Sequence, residues 1–209
     1  MTALSHPTLS AVWWPAAATG GEVGNTRGAA WQRLAVLALA GSLLLTLSAK
    51  VQIPFWPVPM TMQTFVVLVL GAAYGPRLGM ATMLLYLAEG ALGLPVFAGT
   101  PEKGIGIAYM MGPTGGYLAG FVLAAGLTGW MAERGWDRSV AGVLIAMSLG
   151  HLVILGLGAL WLAQLTGWEK AWLFGLAPFW AATILKTLLA AAALPLAWRT
   201  LGHPRGDAR

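Results

Sequence analysis

The chain has 209 residues, 58% of them hydrophobic and only 9% charged, with a mean hydropathy of +0.73, a composition outside the range of soluble domains. At roughly 20 residues per membrane-spanning helix, this length holds about five to seven spans and leaves no room for a soluble catalytic domain. The net charge of +5 reports membrane topology rather than nucleic-acid binding, and the lack of cysteine excludes disulfides, iron–sulfur clusters and thiolate nucleophiles.

Residues 1–30 read as a flexible cytoplasmic tail with one interfacial patch around Val12, Trp13 and Trp14, because they lack the basic start and continuous apolar core of a signal peptide. Six apolar runs follow, at 31–49, 61–75, 77–94, 113–132, 139–166 and between 171 and 198. They predict an all-α integral membrane protein with six transmembrane helices in a domain over 31–199 and a cytoplasmic tail at 200–209. Helices are required where lipid is the neighbour, since the backbone must satisfy its own hydrogen bonds there. Strands are not expected, for the runs are long and do not alternate.

Two segments between the runs are irregular. AKVQIPFWPVPMTMQT, Ala49 to Thr64, contains three prolines and cannot be one helix; Gly93 to Gly116 carries seven glycines and three prolines. Gly75-Pro76 marks a tight turn between the second and third runs. With the N-terminus inside, the cytoplasmic side collects Arg27, Arg33, Arg77, Arg134, Arg138, Arg199, Arg205 and Arg209, and the outside collects Lys50, Lys103 and Lys170. This bias predicts both termini inside and both irregular loops outside.

Polar residues within the apolar runs are expensive in hydrocarbon and face a cavity or a partner. Glu89, His151, Thr183 and Lys186 are of this kind. By a rise of about 1.5 Å per residue, Glu89 and Lys186 lie about 9 and 10 Å below the outer ends of their helices, beneath the two loops. This is the arrangement of an outward-facing ligand site. The structural alternative is that the two are counter-ions to each other. His151, with no second histidine in its apolar run, reads as a packing residue, and most of the eleven tryptophans read as interfacial.

No lysine follows a glycine, so there is no Walker A phosphate loop and no ATP site of that kind. No HExxH and no GxSxG elbow appears. Neither a catalytic residue nor a metal site is expected; the chain is read as a transport protein and not an enzyme.

VPMTMQT, GLPVFAG and GPTGGYLAGF occur in this order between Ala49 and Phe121. Together they resemble the successive signatures of the BioY family, the biotin-binding S components of energy-coupling factor transporters. The resemblance implies a multi-pass protein of the bacterial cytoplasmic membrane that takes up biotin. Its implied partners are biotin, a transmembrane coupling protein and two ATPase subunits, with no resident cofactor and no nucleic acid. One departure stands out. The family's last helix carries an aspartate three residues before a lysine, whereas this chain has Thr183 before Lys186. Glu89 is a candidate to supply the displaced acceptor.

The chemistry of biotin distributes the remaining candidates. Phe55, Trp56, Tyr86 and Tyr117 suit its ring and aliphatic chain, and Gln52, Glu89 or Thr183 suit the ureido group. Lys186 or Lys103 suits the carboxylate. For the coupling protein, small residues four apart on the first helix are expected at the interface, and Ala38 and Ser42 have that spacing. The alternatives are a self-sufficient proton-coupled carrier using Glu89 and His151, and a membrane-embedded enzyme acting on lipid.

Overall fold

The structure, a computed structural model, describes residues 6–14, 23–53 and 57–201, except the side chains of 23–27. Phe55, Trp56 and the tail beyond Leu201 therefore lie outside the described residues. Five helices are long and apolar enough to cross a membrane, covering Gly28–Lys50, Gln63–Ala91, Gly115–Ala132, Val140–Thr166 and Phe179–Thr200. In chain order the helices are α1 (Leu9–Trp13), α2 (Val23–Lys50), α3 (Gln63–Ala91), α4 (Gly106–Met110), α5 (Gly115–Ala132), α6 (Val140–Thr166), α7 (Trp168–Lys170) and α8 (Phe179–Leu201).

The second and third apolar runs both fall within α3, which folds back on itself. Gln63 and Tyr86 are 23 residues apart, about 35 Å along a straight helix, yet the Gln63 amide donates to the Tyr86 hydroxyl at 2.6 Å. The reversal is at Gly75, whose φ of 80° and ψ of 173° are non-helical and belong to a region reserved for glycine. Pro76 starts the second limb without an N–H to leave unsatisfied. The hairpin packs on α2 and α5, and α6 joins α5 to α8. Buried Leu45, Leu68, Met83, Met147 and Ile154 fill the centre, while Leu39, Leu43, Leu152 and Leu185 are exposed outward, as lipid-facing residues are.

Three local features depart from the sequence expectation. The Pro-rich segment contains a short antiparallel pair, β1 (Gln52–Ile53) with β2 (Met60–Thr61), in the register Gln52↔Thr61. The last run is divided: a π-helical turn at Ala171–Leu176 precedes α8, and Pro178 stands between them. The N-terminal tail is not featureless, since α2 begins at Val23 and residues 6–14 are docked. The His6 N–H donates to the Glu133 carbonyl at 2.7 Å, the Arg33 guanidinium donates to the Ser10 carbonyl at 2.8 Å, and Leu9 is buried. One buried leucine and two hydrogen bonds thus anchor a segment whose overall polarity reads as a loop.

Gly75 sets the reversal, and a Cβ there would meet Thr8 Cγ2 at 3.1 Å and Glu133 Oε1 at 3.3 Å. Gly75→Ala is expected to lower unfolding stability in detergent by about 1–3 kcal/mol. Gly156→Ala, where nothing lies within 4 Å, is expected to be neutral or to stabilise the α6 interior by roughly 0.5–1 kcal/mol. Equal melting temperatures for the two variants would show that the reversal does not depend on glycine.

Candidate functional site

The two irregular loops meet at one end of the bundle. The Lys50 ammonium, at the end of α2, donates to the carbonyls of Phe97 at 3.1 Å and Thr100 at 3.2 Å, which ties the start of the first loop to the second. Beneath them lies a pocket with about 490 Å³ of empty space, counting its open mouth. Val58, Pro59, Thr61, Gln63 and Thr64 line it from the Pro-rich segment and the first turn of α3. Phe97, Ala98 and Tyr109 line it from the second loop and α4, and Thr114, Tyr117 and Phe121 from the start of α5. Leu155, Phe179 and Lys186 close it from α6 and α8.

The walls are held by hydrogen bonds from aromatic side chains to loop carbonyls. Tyr86 accepts from Gln63 and donates to the Val96 carbonyl at 2.9 Å. Tyr109 donates to the Ala98 carbonyl at 2.6 Å, and burial pushes its phenol pKa up, so it stays a neutral donor. Tyr117 donates to the Gly175 carbonyl in the π-helical turn at 2.8 Å, and the Trp161 indole donates to the Gly112 carbonyl at 2.9 Å. The Phe97 ring stacks on Tyr109 at 5.0 Å and meets the Tyr86 edge at 5.4 Å. It fits over α3 because Gly90 has no side chain: a Cβ there would come within 2.0 Å of the ring.

The cation of the site is Lys186. Its residue is buried, and its ammonium donates to the Thr61 carbonyl at 2.6 Å and the Thr64 hydroxyl at 3.0 Å. An ammonium has three protons, so one remains for a ligand. Among the described residues no carboxylate forms an ion pair with it.

Of the residues singled out from sequence, Tyr117 and Lys186 line the pocket, and Tyr86 stands directly behind it. Gln52 is exposed on β1, and Lys103 is exposed. Thr183 is half-buried on α8 and does not line the pocket. Glu89 is turned away: it accepts a hydrogen bond from Ser42 on α2. It is therefore neither the counter-ion of Lys186 nor a replacement for the missing aspartate. Ser42 is buried in that contact, so Ala38 and Ser42 do not form one open face for a partner. His151 packs as expected, its Nδ1 lying 2.9 Å from the Met147 carbonyl and 3.2 Å from the Thr187 hydroxyl. Thr61, Gln63, Thr64, Tyr109 and Thr114 were missed. Each lies inside or beside a motif that was recognised, and that position was the available signal.

The chain matches the BioY family model over residues 23–203. It is 39% identical over 160 residues to "Probable biotin transporter BioY" of Pyrococcus horikoshii, covering 77% of this chain and 91% of that one. It is 34% identical over 158 residues to "Biotin transporter BioY2" of Lactococcus lactis, covering 75% and 84%. Its fold is similar to the crystal structure of the S-component for biotin from an ECF-type ABC transporter, with a TM-score of 0.68 at 20% identity, over 88% of this chain and 96% of that one.

The Tyr86 hydroxyl joins the α3 hairpin to the loop that walls the pocket. Tyr86→Phe keeps the ring contact with Phe97 but leaves the Gln63 amide and the Val96 carbonyl without this partner. Stranding such groups is expected to cost about 1–3 kcal/mol, measured by thermal unfolding in detergent. A melting curve superimposable on the parent's would show that the bridge does not hold the loop.

Proposed function

Because this chain belongs to the BioY family, we propose that it captures biotin in the pocket beneath the two loops and delivers it across the membrane as the substrate-binding S component of an energy-coupling factor transporter. The observation that carries the reading is convergence. Three recognised segments, spread over more than sixty residues of sequence, supply the walls of one pocket, and the far end of the chain supplies its buried cation.

The pocket has a complement for each part of biotin. The third proton of Lys186 takes the ionised carboxylate in a charge-assisted hydrogen bond. Phe97, Tyr117, Phe121 and Phe179 take the thioether ring and aliphatic chain, with Tyr117 and Phe179 already stacked at 6.2 Å. Gln63, which also donates to Tyr86, and Thr114 are the polar lining residues assigned to the ureido group, which needs acceptors for two N–H groups and a donor for one carbonyl. Lys103 has no part in this, since it is exposed.

Counting the two limbs of α3 separately, six helical limbs cross the bacterial cytoplasmic membrane, with both termini inside. A chain with no Gly-Lys dipeptide has no Walker A loop. Energy then comes from two ATPase subunits acting through a transmembrane coupling protein, and the role of this chain is binding and transport rather than catalysis.

Calorimetry of the purified protein tests the site. Lys186→Met keeps most of the side-chain length and removes the charge, so biotin affinity is expected to fall about ten- to a hundredfold, the equivalent of roughly 1.5–3 kcal/mol. Glu89→Gln, remote from the pocket, is expected to leave affinity near the parent value. Parent-like binding by Lys186→Met would remove the lysine from the ligand site.

Orientation is tested separately. A cysteine introduced at Lys103 is expected to react with a membrane-impermeant maleimide added to intact cells, and one introduced at Arg134 is not. The chain has no native cysteine to confuse the result. Labelling at position 134 from outside would invert the topology.

A further inference from the structure

At the end of the bundle opposite the pocket, α1, α2 and the second limb of α3 enclose a groove with about 1150 Å³ of empty space, including its open side. Three charged side chains line it: Arg33, Arg77 and Glu133. Among the described residues none of the three forms an ion pair. Arg33 gives one terminal nitrogen to the Ser10 carbonyl, but its Nε is buried without a partner. Arg77 is exposed. Thr8, Ser10 and Tyr74 also line the groove, and its helical walls are apolar: Trp31, Leu34, Ala35 and Ala38 follow one face of α2, and Leu78 and Ala81 lie on α3. Trp31 is 72% exposed at its rim, in the manner of a residue at a membrane–water interface.

We propose that this groove binds a glycerophospholipid: the two arginines receive the phosphate, Glu133 accepts a hydrogen bond from a donor-bearing head group, and one acyl chain lies along the apolar wall. The charges decide the first part. Two guanidinium groups placed together without mutual or carboxylate pairing present fork-shaped donors that match a phosphate, and basic pockets between membrane helices take lipid head groups. A carboxylate beside them would repel a bare phosphate but complements the hydroxyls of glycerol or the ammonium of ethanolamine. The apolar wall decides between sources. From Trp31 to Ala38 it runs about 10 Å along the helix axis, which an acyl chain uses and a free phosphate ion does not.

The test is native mass spectrometry of the full-length protein released from detergent with dioleoyl phosphatidylglycerol, phosphatidylethanolamine or phosphatidylcholine. Phosphatidylglycerol and phosphatidylethanolamine are expected to bind about tenfold more tightly than phosphatidylcholine, whose head group has no donor for Glu133. Arg33→Gln with Arg77→Gln should reduce phosphatidylglycerol binding at least tenfold while biotin affinity stays at the parent value. Arg77→Gln alone, at an exposed side chain, provides a variant that folds even if the double substitution does not, and it should still lose several-fold. Equal lipid binding by Arg77→Gln and the parent would overturn the proposal. So would equal binding of all three lipids, or displacement of phosphatidylglycerol by millimolar inorganic phosphate.

Discussion

The arrangement of this protein depends on one backbone reversal, at Gly75. A continuous helix over Gln63–Ala91 would carry Gln63 and Tyr86 to opposite faces of the bilayer. With the chain turned back at φ 80°, ψ 173°, both lie at the same end, within hydrogen-bonding distance. The reversal is inexpensive in lipid because Pro76 has no N–H and Gly75 has no Cβ. Once it is made, the start of α3 brings Thr61, Gln63 and Thr64 under the loop that ends α3's second limb, and a pocket between two distant segments exists without further rearrangement.

What the reversal brings together, the tyrosines fix. The irregular backbone over Leu92–Thr114 has carbonyls that no helix satisfies, and a non-helical segment near a bilayer needs such partners. Tyr86, Tyr109, Trp161 and Lys50 each donate to one or more of them. Tyr86 and Tyr109 also place their rings in the core, so a single residue packs the bundle and satisfies the loop. A pocket whose walls are held in this way loses little conformational entropy when a ligand enters.

The helical content was legible because a 58% hydrophobic chain has few alternatives in a membrane, and the pocket walls were legible as motifs. Lys186 was legible as a charge where none is tolerated without a reason. That Glu89 and Lys186 do not converge on one site has a geometrical reason. Residue counting gives depth along a helix but not azimuth, and two charges about 10 Å below the same surface here face α2 in one case and the pocket in the other. Gly75-Pro76 announced a turn, but only the three-dimensional contacts showed that Gln63 would meet Tyr86. Gln63 is buried by the hairpin, which its place beside a Pro-rich loop does not announce in the sequence.

A threonine at position 183, where the family resemblance leads one to expect an aspartate, gains meaning from this geometry. Lys186 bridges α8 to the start of α3, across 122 and 125 residues, through two neutral oxygens. A threonine carbonyl and a threonine hydroxyl solvate an ammonium but do not neutralise it, and a buried charge without a counter-charge is costly. A lysine kept only for packing would be better replaced by a neutral side chain of the same length. In a pocket with no carboxylate paired to it among the described residues, the proposed function has an anion from solution supply the missing charge. The carboxylate of the proposed ligand supplies that charge through the remaining ammonium proton, leaving the bonds to Thr61 and Thr64 intact. Ligand binding and the anchoring of α3 to α8 then depend on one side chain and stabilise each other.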